Sequence, residues 1–163
     1  MSTATLALVR PAQPDDLAAI HGLIGELADY EKLRHQFVGS QADLGLHLFG
    51  PRPCAWALVA EVAGQVRGFA LSFRSYSTFL CRPGIYLEDL YVQPAYRRQG
   101  LGRALLAALA QQAVEEGCGR LEWAVLDWNA PSIAFYRQLG AQPMDEWTTF
   151  RLTGEALSRL AAG

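Results

Sequence analysis

The sequence predicts an α/β fold in which helices pack against one mixed β-sheet. Two β-rich segments, residues 55–62 and 66–76, are separated by Ala63-Gly64-Gln65, a pattern typical of an antiparallel hairpin. Further on, a strand-like run at residues 85–92 is followed by a glycine loop, an amphipathic helix and another β-rich run. Because that order is typical of parallel strands joined by a helix, the sheet is expected to contain both kinds of pairing.

Three elements are expected before the hairpin. The apolar run Leu6–Val9, closed by Arg10-Pro11, predicts a first strand. A helix follows the cap at Pro14-Asp15, and a second helix begins at Ser40 and runs toward Phe49. The first helix is predicted from apolar residues at helical spacing, namely Ile20, Leu23, Ile24 and Leu27.

The elements after the hairpin continue the alternation of strands and helices. A loop at residues 77–84 leads to the strand Ile85–Val92, and a later helix opens at Asn129 and ends at Gly140. Strands are also predicted at residues 121–126 and 147–152, for a total of about six to seven. The helix that follows the strand at residues 85–92 presents one apolar side and stops at Gly117; that side consists of Leu101, Leu105, Leu109 and Ala113.

Length and composition favour one cytoplasmic domain spanning residues 1–163. No apolar stretch approaches the roughly 20 residues of a membrane span, and no secretory signal is recognisable. The net charge is −2 without a block of Lys or Arg, which argues against a nucleic-acid partner. The scattered cysteines, Cys54, Cys81 and Cys118, match neither a disulfide framework nor a zinc site and are expected to be small core residues. We therefore expect no metal.

A glycine-containing loop, Arg97-Arg98-Gln99-Gly100-Leu101-Gly102, lies between a predicted strand and helix. Glycines allow a ligand to approach the backbone, and the amides and dipole of the following helix favour an anion. Arg97, Arg98 and Arg103 add positive charge. The loop has neither the Gly-Lys-Ser/Thr of a P-loop nor the full dinucleotide fingerprint, so it indicates phosphate binding of another kind. An ordinary helix entry with solvated arginines fits the loop equally well.

The motifs in combination resemble the GCN5-related N-acetyltransferase (GNAT) superfamily. Within it, the chain is most similar to spermidine/spermine N-acetyltransferases and their thialysine-acetylating relatives, and the resemblance extends from Val9 to about Arg151. The residues that carry it are Tyr86–Val92, Pro94, Arg97–Gly102, Asn129–Ser132 and Phe135-Tyr136.

This resemblance implies the GNAT (acyl-CoA N-acyltransferase) fold, a strongly twisted sheet that splays between the strands at residues 85–92 and 121–126. It implies acetyl-CoA as cosubstrate and a homodimer. Backbone groups of Leu90, Tyr91 and Val92 would bind the pantetheine and acetyl carbonyl, and Asn129 and Ser132 would contact the cofactor from the other side of the cleft. The remaining cofactor contacts would come from the loop and helix start, namely Arg97, Arg98, Gln99, Gly100, Leu101, Gly102 and Arg103.

Two residues are expected to move protons. An alkyl amine has a pKa near 10.4 and must lose a proton before it attacks a thioester, and a carboxylate at Glu88 on the central strand can accept that proton. The resemblance implies that Tyr136 donates a proton to the leaving thiolate. The expected reaction is direct attack in a ternary complex, with no cysteine nucleophile. Glu88 as a solvated residue and Tyr136 as a core aromatic are the structural alternatives.

The substrate is expected to be a small primary amine such as thialysine, another amino acid side chain or a short diamine. The expected substrate-binding residues are Tyr30, Glu31, Glu88 and Asp89, and a local anionic pocket can be supplied by Asp29, Glu31, Glu88 and Asp89. The basic run Lys32-Leu33-Arg34-His35 disfavours longer polyamines by charge repulsion. Two alternatives remain: a protein lysine or N-terminal acetyltransferase, and a non-catalytic acyl-CoA sensor.

Overall fold

The computed structural model describes residues 7–163 and divides into two compact units, the first ending at Ala124 and the second comprising Val125–Gly163. The expectation of a single domain stays a prediction. The strands are β1 Ala7–Pro11, β2 Trp56–Val62, β3 Gln65–Ser77, β4 Arg82–Val92 and β5 Leu121–Trp123. The helices are α1 Leu17–Tyr30, α2 Gln41–Phe49, α3 Leu101–Glu115, α4 Ala130–Gln138 and α5 Gly154–Ala162. Residue Leu6 of the predicted first strand lies outside the described residues.

The first unit contains a five-stranded sheet in the order β1-β2-β3-β4-β5. Neighbouring strands from β1 to β4 are antiparallel, and β4 and β5 are parallel. The predicted mixed sheet with flanking helices is therefore confirmed. The predicted number of six to seven strands is wrong, because the described chain forms five.

Two tight turns connect the antiparallel strands. Ala63 and Gly64 have φ values of 52° and 74°, so β2 and β3 are joined by two residues in the left-handed conformation that suits the twist of a hairpin. The next turn is also short: β4 begins at Arg82, three residues before the predicted start, and pairs with the end of β3 at Ser77. The predicted loop at residues 77–84 is therefore half strand, and only residues 78–81 form the turn.

Helices cover both faces of the sheet. Ile20, Leu23 and Leu27 of α1 are buried in one cluster with Phe69 and Leu71 of β3. The alternate residues of β3 point the other way and are also buried, and α3 contacts these strands. The predicted apolar side of α3 is confirmed, since its members are all buried: Leu101, Leu105, Leu109 and Ala113.

The start of α1 is held to the sheet by an ion-pair network. Arg10 of β1 lies 2.7 Å from the buried Asp16 and 2.9 Å from Glu61 of β2. Asp16 also accepts the backbone N–H of Gln13 at 2.8 Å. Hydrogen bonding to Arg10 lowers the pKa of Asp16, so the carboxylate stays ionised where its charge is compensated.

The second unit differs most from the prediction. Residues 147–152 form no strand, and Trp147 and Phe150 are 74% and 93% exposed. A strand needs a neighbour for its backbone groups, and no strand lies in the described second unit. The helix α5 was not predicted, although Glu155 and Arg159 at helical spacing, 3.7 Å apart, are a sequence signal for it.

We expect Asp16→Asn to lower the free energy of unfolding at pH 7 by about 1–3 kcal/mol, because Arg10 then loses its charged hydrogen bonds to Asp16 and keeps its ion pair with Glu61. Since the folded pKa of Asp16 is lowered, its contribution is present above about pH 4 and is lost as the pH falls through that folded pKa. Urea unfolding across pH measures this. The exposed neighbour in Asp15→Asn is the control; equal effects of the two variants would contradict the network.

Candidate active site

The pairing of the two parallel strands stops partway along β4. Strand β5 pairs with Ile85, Tyr86 and Leu87 and ends at Trp123, three residues before the predicted Leu126. Strand β4 continues to Val92 with β3 as its only partner strand in the described chain. The side of β4 beyond Leu87 that faces away from β3 is called the open edge. The expected separation of the central parallel pair lies at this point.

A β-bulge occurs where the open edge begins. Ser72 of β3 lies opposite Leu87 and Leu71 lies opposite Asp89, so Glu88 is an extra residue in β4. A bulge bends its strand and breaks the strict alternation of side chains between the two faces. Successive residues of a regular strand point to opposite faces, but at the bulge Glu88 and Asp89 need not do so.

The ladder with β3 determines which backbone groups reach the open edge. The N–H of Gln93 donates to the carbonyl of Arg67 at 2.9 Å. Because bonded and non-bonded pairs alternate in an antiparallel ladder, the backbone groups of Leu90 and Val92 point away from β3, and those of Tyr91 point toward it. Leu90 thus presents an N–H and a carbonyl at the open edge, as a pantetheine amide requires.

Carboxylates cluster beside the bulge. Glu88 is exposed and Asp89 is partly buried. Burial, together with the negative charges of Glu88 and Glu31, raises the pKa of Asp89 to about 7. Burial also raises the pKa of Glu31, which directly follows α1. The structure therefore brings three of the predicted substrate-binding residues into one electrostatic group that a cation would stabilise.

The segment after α1 is held by one of its own basic residues. Arg34 donates to the carbonyl of Gly25 at 2.8 Å and pairs with Asp29 at 3.0 Å. It also lies over the ring of Phe37 at 5.6 Å. The positive charge of Arg34 is therefore partly compensated by Asp29. The predicted substrate residue Tyr30 directly precedes this segment and is 39% exposed.

The glycine loop leads directly into α3. Gly100 precedes the helix with φ = 82°, and its carbonyl accepts the first intrahelical bond, from Ala104. The amides of Leu101, Gly102 and Arg103 therefore have no partner within the helix. Arg98 also has a positive φ of 60°, and such alternating conformations form anion-binding concavities. With Arg98, Gln99 and Arg103 exposed, the loop fits a pyrophosphate.

Arg97 is placed differently from the rest of the loop. Its Nε donates to the carbonyl of Val92 at 2.8 Å, and its guanidinium lies over two tyrosine rings. The side chain is directed to the protein, and the backbone N–H of Arg97 donates to the carbonyl of Pro94 at 3.3 Å. Its predicted contact with the pyrophosphate therefore stays a prediction.

In the second unit, the predicted helix entry is confirmed. Asn129 is buried and its Oδ1 accepts the N–H of Ser132 at 3.4 Å, which caps α4. Tyr136 is partly buried in α4, with its ring centroid 5.6 Å from that of Phe135.

The predicted burial of the cysteines is wrong. Cys54 and Cys81 are exposed, and Cys118 is partly buried, because all three lie in connections outside strands and helices. Within residues 7–163, no three His, Cys, Asp or Glu side chains form a metal-binding group. No helix in this range has the length and apolar character of a membrane span.

Comparison with known proteins identifies the family. The model of the Acetyltransferase (GNAT) family matches residues 22–141. The chain belongs to this family. It is 42% identical to thialysine N-epsilon-acetyltransferase of Bos taurus, over 94% of the chain and 96% of the relative. It is 34% identical to an L-ornithine N5-acetyltransferase of Arabidopsis thaliana, over 93% of the chain and 86% of that relative.

Solved structures agree on the fold. An integron cassette protein of V. cholerae matches with a TM-score of 0.80 and 25% identity, over 96% of the chain and 98% of that structure. The predicted GNAT fold and the resemblance to thialysine-acetylating enzymes are confirmed. The chain is therefore an N-acetyltransferase, and the family uses acetyl-CoA. The non-catalytic sensor is not supported.

We expect Gly100→Ala to destabilise the protein by about 1 kcal/mol and to weaken CoA binding, because alanine resists its left-handed conformation. Gly102→Ala is the matched control: its φ is ordinary and no atom lies within 4 Å of an added Cβ, so stability is retained. Thermal unfolding measures the stability of each variant, and calorimetric titration measures its affinity for CoA. A Gly100→Ala protein with unchanged stability and affinity would refute the role of the turn.

Proposed function

We propose that the protein acetylates the primary amine of a small cationic substrate of the thialysine, amino-acid or short-diamine class. The observation that carries the proposal is the carboxylate cluster beside the open edge of β4. The exposed Glu88 and the partly buried Glu31 and Asp89 interact electrostatically, and an ammonium group would relieve their repulsion. The names of the bovine and Arabidopsis relatives, which specify thialysine and L-ornithine, support the same class.

Acetyl-CoA fits the loop and the open edge as cosubstrate. The N–H and carbonyl of Leu90 and the N–H of Val92 would hold the pantetheine amides, and the amides of residues 98–103 would hold the pyrophosphate. Asn129 and Ser132 are proposed to contact the same cofactor. Acetyl-CoA supplies the activated acyl group, and the protein supplies orientation and proton transfer.

The carboxylates are proposed to divide the work of binding and proton removal. Asp89 and Glu31 hold the ammonium, while the exposed Glu88 accepts its proton directly or through water. The free amine nitrogen then forms a bond to the thioester carbonyl carbon. As the resulting tetrahedral species collapses, the carbon–sulfur bond breaks, and Tyr136 donates its hydroxyl proton to the departing thiolate. The new amide nitrogen releases its second proton to solvent, from which Tyr136 is protonated again.

Polyamines are proposed to be poor substrates. Lys32, Arg34 and His35 follow Glu31 directly, so a long polycation that extended from the carboxylate cluster across this segment would meet positive charge. The pairing of Arg34 with Asp29 weakens this repulsion without removing it. A short substrate with one reactive amine avoids the segment.

The oligomeric state and the cellular location of the enzyme are also proposals. A homodimer is proposed from the family resemblance. A cytoplasmic location is supported by three free cysteines, two of them exposed, which suit a reducing compartment. Sedimentation equilibrium would test the dimer, and a monomer at micromolar concentration would contradict it.

We expect release of the CoA thiol to depend on a small amine. Thialysine, lysine, ornithine and putrescine should be acetylated with higher kcat/KM than spermidine or spermine. Tyr136→Phe should lower kcat by about 100-fold or more, because the thiolate loses its proton donor. The thiol-release assay measures both. Acetylated peptides with no acetylated small amine would contradict the proposal and favour a protein-modifying enzyme.

We expect kcat/KM for the amine to fall below about pH 7, where Asp89 becomes protonated and loses its charge. Asp89→Asn should raise KM and remove that acidic limb, whereas Glu88→Gln should lower kcat. Because burial disfavours the Asp89 carboxylate, Asp89→Asn should also raise the unfolding temperature above pH 7 and change it little near pH 4. An acidic limb that persists near pH 7 in Asp89→Asn would contradict this assignment.

A further inference from the structure

Arg97 joins three parts of the first unit. Its Nε donates to the carbonyl of Val92 at 2.8 Å, at the open edge of β4. Its guanidinium carbon lies 5.1 Å from the ring centroid of Tyr30, the last residue of α1, and 5.3 Å from that of Tyr91. The guanidinium thus contacts the helix end and the strand, while its own backbone begins the glycine loop.

The surroundings of Arg97 hold α1 and β4 together. The hydroxyl of the buried Tyr91 donates to Glu26 of α1 at 3.2 Å. The other carboxylate oxygen of Glu26 accepts from Nε2 of Gln93 at 2.9 Å. Tyr91 and Gln93, the residues that flank Val92, are therefore hydrogen-bonded to α1. These bonds hold the Tyr91 ring in place under the guanidinium of Arg97.

We propose that Arg97 is a positioning residue that fixes the amine-binding end of α1, Tyr30-Glu31, relative to the cofactor-binding edge of β4. The inference rests on the proposed function of both segments. An arginine suits this role because its planar guanidinium can interact with aromatic rings while Nε–H donates in its own plane. Positive charge for the phosphates comes instead from Arg98 and Arg103.

This arrangement couples the two substrate sites. The Val92 carbonyl accepts the Nε–H of Arg97, and the Arg97 guanidinium lies over the ring of Tyr30. The N–H of the same Val92 is proposed to bind the cofactor, so Val92 is linked to both the cofactor and Tyr30. Binding of the cofactor along the open edge would restrain Val92, and through Arg97 it would restrain Tyr30 and the adjacent Glu31. The amine site is then completed by the cofactor.

Arg97→Lys tests the proposal because it keeps the charge but loses the planar group. We expect KM for the amine at saturating acetyl-CoA to rise by about 5- to 30-fold, as the loss of such stacking implies. Tyr30→Ala should cause a similar rise, and the double variant should be no worse than either single one. Arg74→Lys is the control: it loses a guanidinium contact with the ring of Trp56 at 4.7 Å, and Arg74 pairs with Ile85 near the start of β4 rather than with Val92. It should leave the amine KM within about twofold.

Hydrogen exchange gives a readout that does not depend on turnover. Acetyl-CoA should slow exchange at residues 27–31 in the wild type and in Arg74→Lys, but not in Arg97→Lys. If the wild type acetylates no amine, the proposed function fails while this loss of protection still supports the coupling. Unchanged amine KM in Arg97→Lys, or protection of residues 27–31 equal to that of the wild type, would overturn the proposal.

Discussion

The proposed active site depends on a backbone constraint: the polar groups of a strand need hydrogen-bond partners, and within residues 7–163 β4 has a neighbouring strand on both sides only as far as Leu87. Beyond the bulge at Glu88, one row of its N–H and carbonyl groups faces away from β3. Such an unpaired edge is a liability unless something covers it. A cofactor with amide groups would be a suitable partner, and the proposed cofactor site uses this edge.

The same bulge determines the electrostatics. It places two consecutive carboxylates next to the open edge, and burial with mutual repulsion holds the pKa of Asp89 at about 7. This arrangement costs folding free energy, because the unfolded chain ionises Asp89 more easily than the folded one does. The cost is consistent with function, since a cation that binds there removes the repulsion.

Much of the first unit was predictable because its signals are local. The spacing of apolar residues in α1 and α3, the turn at Ala63-Gly64 and the Ser40 cap all depend on a few neighbouring residues. The missing strand at residues 147–152 depends instead on a partner strand, which β-rich composition cannot supply. The bulge at Glu88 and the position of Arg97 depend on pairing and packing between distant segments, so the motifs could identify these residues but not their geometry.

The most direct test of the account is amide hydrogen exchange of β4 at single-residue resolution, with and without CoA. Because the backbone groups of Leu90 and Val92 face the open edge and those of Tyr91 face β3, CoA should protect the amides of Leu90 and Val92. The amide of Tyr91 should already be protected in the free protein. Bound CoA that leaves exchange at Leu90 and Val92 unchanged would contradict the claim that this edge holds the cofactor.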